Sequence, residues 1–355
     1  MKAELAEPIE AAPRQGRRLP AACPTVSVIV PVRNEREFVG LALTDLSAQD
    51  YDCVEEILVV DGESSDGTRQ MVEDFAAKDR RIRLLNNEKR RASTALNVGI
   101  RESVGDVIVR ADCHARYAPD YVRQCVNCLR ETGASNVGGP AIPLANGGLM
   151  HGAIVAAHLS RFGIGVARFR RTSYEGPADT VWPGAFLRSA ITEVGAFREC
   201  LDRTEDIEFN ARLRRAGHKI YVSRDIRVWY VPRRTLPALC AQSFANGRGV
   251  AEMLFLDRSA VRLRHLAPLA FVSALAAAGL MAVLAPAGRT VLLALLSCYA
   301  LPLTVACVCA CRQARRAALL LPVVLIALHM SYGLGSLLGV SRTLGKGVLR
   351  RWKRC

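Results

Sequence analysis

Three short polar clusters hold side chains able to bind a charged ligand or a cation. Arg33-Asn34-Glu35, Asp61-Gly62-Glu63-Ser64-Ser65-Asp66-Gly67 and Asp112-Cys113-His114 each follow an apolar run. Asp112 and His114 are one residue apart, so on an extended strand end both can face the same side, where carboxylate and imidazole can take a divalent metal. Asp61, followed by Gly and Ser, is either a ligand contact or turn chemistry that caps a helix.

Val26 to Val32 (VSVIVPV) and Glu56 to Val60 (EILVV) are short β-branched runs of the kind found in buried parallel strands. Glu35 to Gln49 has helical spacing, and Gly67 to Ala77 predicts a second helix that Ser65 and Asp66 can cap. The alternation continues with strand Ile82 to Leu85, helix Ala92 to Ser103, strand Asp106 to Ala111, helix Pro119 to Arg130 and strand Asn136 to Pro140. This order predicts an α/β fold with a mostly parallel sheet. Ligands of such sheets bind beyond the carboxyl ends of the strands, where all three clusters fall.

Charge divides the 355 residues unevenly. The net charge is +15, yet from Arg258 onward there is no Asp or Glu and there are 13 Lys or Arg. That surplus flanks apolar runs instead of decorating a domain with a nucleic-acid motif, so no nucleic-acid partner is expected. The runs Leu266 to Gly288, Thr290 to Cys311 and Ala317 to Ser341 are each long enough to span a bilayer. Hydropathy thus counts three spans. Basic residues before the first run and after the second place the N-terminal domain in the cytoplasm, and the basic tail prefers that same side, which favours two full spans. The segment holding His329, Gly333, Gly335 and Gly339 is then re-entrant or interfacial. Gly335-x-x-x-Gly339 could also pack helices.

Residues 1–23 lack the apolar core of a signal peptide and are expected to be a flexible leader. Residues 24–234 form the α/β domain, 235–265 an interfacial helix region, 266–341 the membrane region and 342–355 a basic tail. The twelve cysteines do not predict a disulfide framework in so large a chain with a cytosolic domain. Cys125-x-x-Cys128 has no second pair at zinc spacing and is expected to pack the core.

Taken together, VSVIVPVRNE, ILVVDGESSDGT, RRASTALNVGI, GDVIVRADCHA and TEDIEFNARLRRAGHKI, in that order over about residues 24 to 257, resemble the inverting glycosyltransferases of family 2. These have the nucleotide-sugar-binding, Rossmann-like GT-A fold, and the resemblance is strongest to exopolysaccharide glucosyltransferases of the succinoglycan type. It implies that Pro31, Arg33 and Glu35 line the base pocket, that Asp61 accepts the uracil imide hydrogen, and that Asp112 lies by the ribose and metal. The family usually has Asp-x-Asp where this chain has Asp112-Cys113-His114, so Asp112 and His114 become the implied ligands for Mn2+ or Mg2+. Arg90 or Arg91 could neutralise the diphosphate.

Inverting transfer needs a base for the acceptor hydroxyl. Asp206 matches the family's base position at the start of a helix, with Glu205 and Glu208 as lesser choices; the helix N-terminus is expected to lower its pKa. Trp182 to Phe186 falls at the family's acceptor-side loop, where Gly184 allows close approach and Trp182 either stacks on a sugar or packs the core. Gln242 and Arg248 lie on the helix from Leu236 to Leu256, without the Gln-x-x-Arg-Trp motif of processive synthases, which favours a single addition. The resemblance implies a hexose, glucose from UDP-glucose, passed to a polyprenyl-diphosphate-linked saccharide in exopolysaccharide synthesis at the cytoplasmic face of the inner membrane. Basic residues around the spans suit contacts with membrane lipids. Alternatives are transfer to polyprenyl phosphate and a non-catalytic nucleotide-sugar-binding scaffold. A dinucleotide oxidoreductase lacks its Gly-x-Gly-x-x-Gly turn, and an acyl transferase its Gly-x-Ser-x-Gly elbow.

Overall fold

The computed structural model describes residues 23–201, 203–311 and 315–344. Most of the expected leader and all but three residues of the basic tail lie outside these limits. The N-terminal half alternates β1 (Val26–Val32), α1 (Arg36–Ser47), β2 (Val54–Asp61), α2 (Thr68–Ala76), β3 (Ile82–Asn86), α3 (Ala92–Glu102) and β4 (Val107–Arg110). Strands β1, β2 and β4 are buried almost throughout, as apolar strands covered by helices on both faces must be. Helix α3 lies so close to β1 that a Cβ on Gly99 would stand 2.4 Å from Ile29.

After β4 come β5 (Ala115–Tyr117), α4 (Tyr121–Thr132), β6 (Asn136–Gly138), β7 (Ala141–Pro143), α5 (Leu149–Leu159), β8 (Gly176–Pro177), β9 (Ala185–Leu187), α6 (Arg188–Val194), α7 (Glu205–Arg215), β10 (Ile220–Val222) and β11 (Val228–Tyr230). The main sheet has the order β3-β2-β1-β4-β9-β6-β10-β8. The block β3-β2-β1-β4 is parallel, whereas β9 runs antiparallel to both β4 and β6. A small sheet β5-β11-β7 flanks it. The expected α/β architecture is therefore present, with a reversed strand in the middle of the sheet. Cys125 and Cys128 are free and buried in α4, while Cys23 and Cys53 are joined in a disulfide that the sequence argument did not anticipate.

Four long helices follow: α8 (Leu236–Leu256), α9 (Leu263–Leu284), α10 (Pro286–Cys311) and, after the short α11 (Arg315–Ala318), α12 (Leu321–Leu344). Helices α9, α10 and α12 are long and apolar enough to cross a membrane, the architecture of a multi-pass membrane protein. Leu280, Val283, Leu284 and Leu301 are more than half exposed, an apolar surface that water would penalise and lipid would not.

Helix α12 is continuous and differs from its neighbours in burial: 39% of its apolar window is buried, against 11% in α9 and 6% in α10. Its glycines explain why. Added Cβ atoms on Gly335 and Gly339 would stand 2.0 Å and 2.7 Å from the backbone oxygens of Phe244 and Arg248 on α8, and one on Gly247 of α8 would stand 2.0 Å from that of Tyr332. Gly333 does the same against α9, at 2.6 Å from the Pro268 oxygen. Small residues thus let these backbones touch, and Ser336 Oγ donates to the Gly247 carbonyl at 3.1 Å.

Gly335→Val is expected to lower stability by about 1–3 kcal/mol through overpacking, seen as a lower thermal midpoint in detergent. Gly279→Val in α9, where an added Cβ meets nothing within 4 Å, should leave the midpoint nearly unchanged.

Candidate functional site

A cavity of about 1370 Å³ opens at the carboxyl ends of β1 and β4 and runs to the membrane helices. Pro31, Arg33 and Glu35 line it from the β1 end, Arg90 and Arg91 from the start of α3, and Arg110, Asp112, Cys113 and His114 from the β4 end. Glu205 and Asp206 enter from the first turn of α7, Gln242 and Asn246 from α8, and Tyr299, His329 and Tyr332 from α10 and α12.

Arg110, the last residue of β4, is the electrostatic centre. Its Nε donates to Asp112 Oδ1 at 2.9 Å and its Nη1 to Glu205 Oε1 at 3.2 Å. Asp112 Oδ2 accepts from Arg110 Nη2 at 3.2 Å and from the Trp182 indole Nε1 at 2.7 Å. Burial opposes the charge on Asp112, but Arg110 and these hydrogen bonds outweigh it and hold the carboxyl below its usual range. Burial likewise opposes the Arg110 charge, and the carboxylates of Asp112 and Glu205 more than restore it.

Glu205 and Asp206 go the other way. Withdrawal from water raises both carboxyls, Arg110 only partly offsets this, and Asp206 pushes Glu205 up further. The expected lowering of Asp206 by the helix terminus is therefore overturned: the amide of Ile207 does donate to Asp206 Oδ1 at 2.8 Å, but desolvation is larger.

Helix α7 is held in place by neutralised buried groups. Glu208, fully buried, accepts from Arg212 and pairs with Arg198, both at 2.9 Å; it does not line the cavity. Arg212 also donates to the carbonyls of Val194, Gly195 and Ala196. Asn210 bridges Asn136 at 2.7 Å and Thr180 at 2.8 Å. Thr204, which starts the helix, has φ +67°, a costly setting for a β-branched residue and one such packing must sustain.

Several expected residues stand elsewhere or are already engaged. Asp61 is buried at the end of β2, accepts from Ser64 Oγ at 2.6 Å, and is not among the cavity-lining residues, although Gly62 is. Arg90 is bonded to Glu63 through Nε at 2.6 Å, and Arg91 donates to the Glu199 carbonyl at 3.0 Å. Gly184 is buried and off the cavity wall; its carbonyl accepts from the Arg110 amide at 2.9 Å, and a Cβ there would meet Asn136 and Phe186 at 2.6 Å. Trp182 lines the cavity but spends its N–H on Asp112 and sets its ring edge-on to Tyr230 at 5.3 Å. Arg248 lies off the wall formed by Gln242 and Asn246, within 3.8 Å of Glu252. Sequence reasoning missed Arg110 and Tyr230. The signal for the first was a charged residue ending an apolar strand just before Asp112.

Among the described residues, His114 has two further possible cation ligands beside it. Ligand atoms of Glu35, Cys113 and His114 lie within 4.8 Å of one another, and Asp112 accepts hydrogen bonds at both its oxygens. The imidazole and the Glu35 carboxylate suit a divalent ion; burial keeps the Cys113 thiol protonated and hence a poor ligand. Burial also depresses the His114 pKa, despite Asp112, leaving the neutral imidazole that a metal needs.

The family model Glycosyl transferase family 2 matches residues 27–191. The succinoglycan biosynthesis protein ExoA of Rhizobium meliloti is 29% identical over 72% of this chain and 78% of its own. The dolichyl N-acetyl-alpha-D-glucosaminyl phosphate 3-beta-D-2,3-diacetamido-2,3-dideoxy-beta-D-glucuronosyltransferase of Methanococcus voltae is 25% identical over 70% and 78%. The mannosyltransferase PcManGT from Pyrobaculum calidifontis, solved in complex with GDP-Man and Mn2+, shares the fold with a TM-score of 0.53 and 19% identity over 95% of this chain and 92% of its own.

Arg110→Ala would leave a group of carboxylates without their buried counter-charge and should destabilise the protein by about 3–5 kcal/mol near neutral pH. The raised pKa values of Glu205 and Asp206 mean that the fold keeps protons which the unfolded chain releases, so their contribution is full below the ordinary carboxylate pKa and is lost as pH rises through the folded values. Asp112, with a lowered pKa, runs oppositely in the wild type and depends on Arg110 to do so. The variant is therefore expected to recover stability relative to wild type on acidification from pH 8 towards pH 5, in thermal melts; a pH-independent gap would contradict this account.

Proposed function

For a chain that is a family 2 glycosyltransferase with a GT-A-type fold, we propose transfer of a hexose, glucose from UDP-glucose, with inversion to a polyprenyl-diphosphate-linked saccharide. The observation that carries this reading is a single cavity in which three carboxylates at the sheet's carboxyl rim face the same space as residues of the membrane helices. Two relatives support it by name, one in succinoglycan biosynthesis and one acting on a dolichyl-linked sugar phosphate. The domain limits given above, the single addition, the cytoplasmic orientation and the inner membrane as its place belong to the same reading.

Asp206 acts as the base. Glu205 is bonded to Arg110, whereas Asp206 accepts from backbone amides, that of Ile207 among them, and a raised pKa makes its ionised form the better proton acceptor. In the step, the acceptor oxygen bonds to the anomeric carbon as the bond to the diphosphate breaks on the opposite face, and the hydroxyl proton passes to Asp206. Arg110 keeps Asp112 ionised beside the donor's ribose, with Pro31, Arg33, Glu35 and Asp61 around the base and Arg90 and Arg91 toward the diphosphate. Gln242 and Trp182 face the acceptor. His114 and Glu35 would hold a divalent cation, Mn2+ or Mg2+, which when bound supplies positive charge to the departing diphosphate.

Membranes given radiolabelled UDP-glucose should yield a lipid-extractable product. Asp206→Asn should lower kcat by about 10²–10⁴-fold while nucleotide binding persists, and the acidic limb of the wild-type kcat/KM profile should lie above the ordinary aspartate range; full transfer by Asp206→Asn would overturn the base assignment. His114→Ala should raise the Mn2+ concentration needed for half-maximal transfer. A product with one phosphate and a single sugar would point instead to polyprenyl phosphate as acceptor, and no product from any donor to a scaffold.

A further inference from the structure

Charge is distributed unequally along the cavity. The acidic lining residues Glu35, Glu37, Asp112, Glu205 and Asp206 belong to the rim of the α/β domain. Moving away from Asp112, its partner Trp182 meets Tyr230 edge-on, and the Tyr230 hydroxyl accepts from Arg170 Nη1 at 2.7 Å. Arg170 thus stands behind the Trp182–Tyr230 wall as seen from the donor side. Arg161 also lines the cavity, next to Phe162, whose ring packs on His329 at 5.0 Å and on Tyr299 at 5.2 Å from the membrane helices.

Neither Arg161 nor Arg170 has an acidic partner among the described residues, whereas Arg264, at the same end, is neutralised by Asp179. His158 lines the same cavity. It is 5% exposed, meets the Tyr230 hydroxyl through Nδ1 at 2.5 Å, and leaves Nε2 without a partner among the described residues. Arg161 is exposed and Arg170 half-buried against the Tyr230 hydroxyl, so both keep their charge at the cavity; the buried His158 Nε2, without a partner among the described residues, is the group that a ligand would complete. The wall beyond is apolar and aromatic: Phe271 stacks on Tyr299 at 4.6 Å, with Leu295, Pro302 and Leu328 alongside.

We propose that Arg161 and Arg170 seat the diphosphate of an isoprenoid acceptor lipid, whose chain runs along the Phe162, Phe271 and Tyr299 wall between the membrane helices. This rests on the lipid-linked acceptor proposed above and assigns that acceptor its place. A nucleotide has the charge without the apolar tail, and a prenyl alcohol has the tail without the charge; an isoprenyl diphosphate matches both halves.

The test is equilibrium binding of geranylgeranyl diphosphate to the full chain in phosphatidylcholine nanodiscs. Wild type should bind it; Arg161→Ala and Arg170→Ala should each weaken binding by about tenfold, the scale of one charge-assisted hydrogen bond, and Arg161→Lys should recover part of the loss. UDP affinity should be unchanged in all three, which shows that the variants fold. Wild-type affinity in both alanine variants would overturn the proposal. So would equal displacement of the probe by inorganic pyrophosphate or by phosphatidylglycerol, since either means a general anion surface. If the radiolabel assay gives lipid product but these variants bind normally, the seat is wrong and the transferase reading stands; if the variants lose binding but no donor yields product, the seat stands and the transferase reading falls.

Discussion

One buried guanidinium makes the site possible. Asp112, Glu205 and Asp206 face one cleft, and carboxylates so close and so withdrawn from water cannot all ionise unless a positive charge stands among them. Arg110 provides it, only 11% exposed and bonded to two of the three. The consequences differ by residue. Asp112, which receives a second hydrogen bond from Trp182, stays an anion, while Glu205 and Asp206 are left partly uncompensated and hold protons more firmly. Two kinds of carboxylate thus arise from one cation and unequal hydrogen bonding, and separating such pKa values is how a cleft divides binding from proton transfer.

That arrangement needs β4 and α7 fixed against each other, and the structure spends much of its polar interior on this. The Arg110 amide is hydrogen-bonded to Gly184, so the reversed strand β9 registers β4. Glu208 with two arginines, and Asn210 with Asn136 and Thr180, fasten α7 just beyond Glu205 and Asp206. Asn97 closes on Phe197 through both its amide and its carbonyl, which ties the loop before α7 to α3. These buried ion pairs and hydrogen bonds hold the helix rigidly, which is what allows Thr204 to keep its left-handed backbone.

Much of this was legible in the sequence because it follows from periodicity. The apolar β-branched runs became β1 and β2, the spacing from Leu236 to Leu256 became α8 with those same limits, and polar clusters after strands fell on the cavity rim. Properties set by distant partners were not legible. Nothing local to Asp206 reveals that Glu205 would share its desolvation, and nothing local to Asp112 shows that Arg110 and Trp182 would bond its oxygens or that Glu35 would come close to His114. Arg248 and Gly184 were placed by motif position alone, and a two-residue offset on a helix suffices to turn Arg248 from the wall that Gln242 and Asn246 form. The charge of the basic tail disfavours a third full span, and nothing local to the glycines of α12 shows that they lie on the backbone of α8, nearly a hundred residues away in sequence.

That backbone contact has a mechanical corollary. Where helices meet through long side chains, rotamers can absorb a small change in tilt; where Gly335 and Gly339 lie directly on the α8 main chain, little soft material separates them and interiors transmit strain. Helix α8 carries Gln242 and Asn246 on the cavity wall. A change in bilayer thickness that tilts α12 therefore reaches the cleft as a displacement of its wall, so the lipid environment becomes a setting of the site's width.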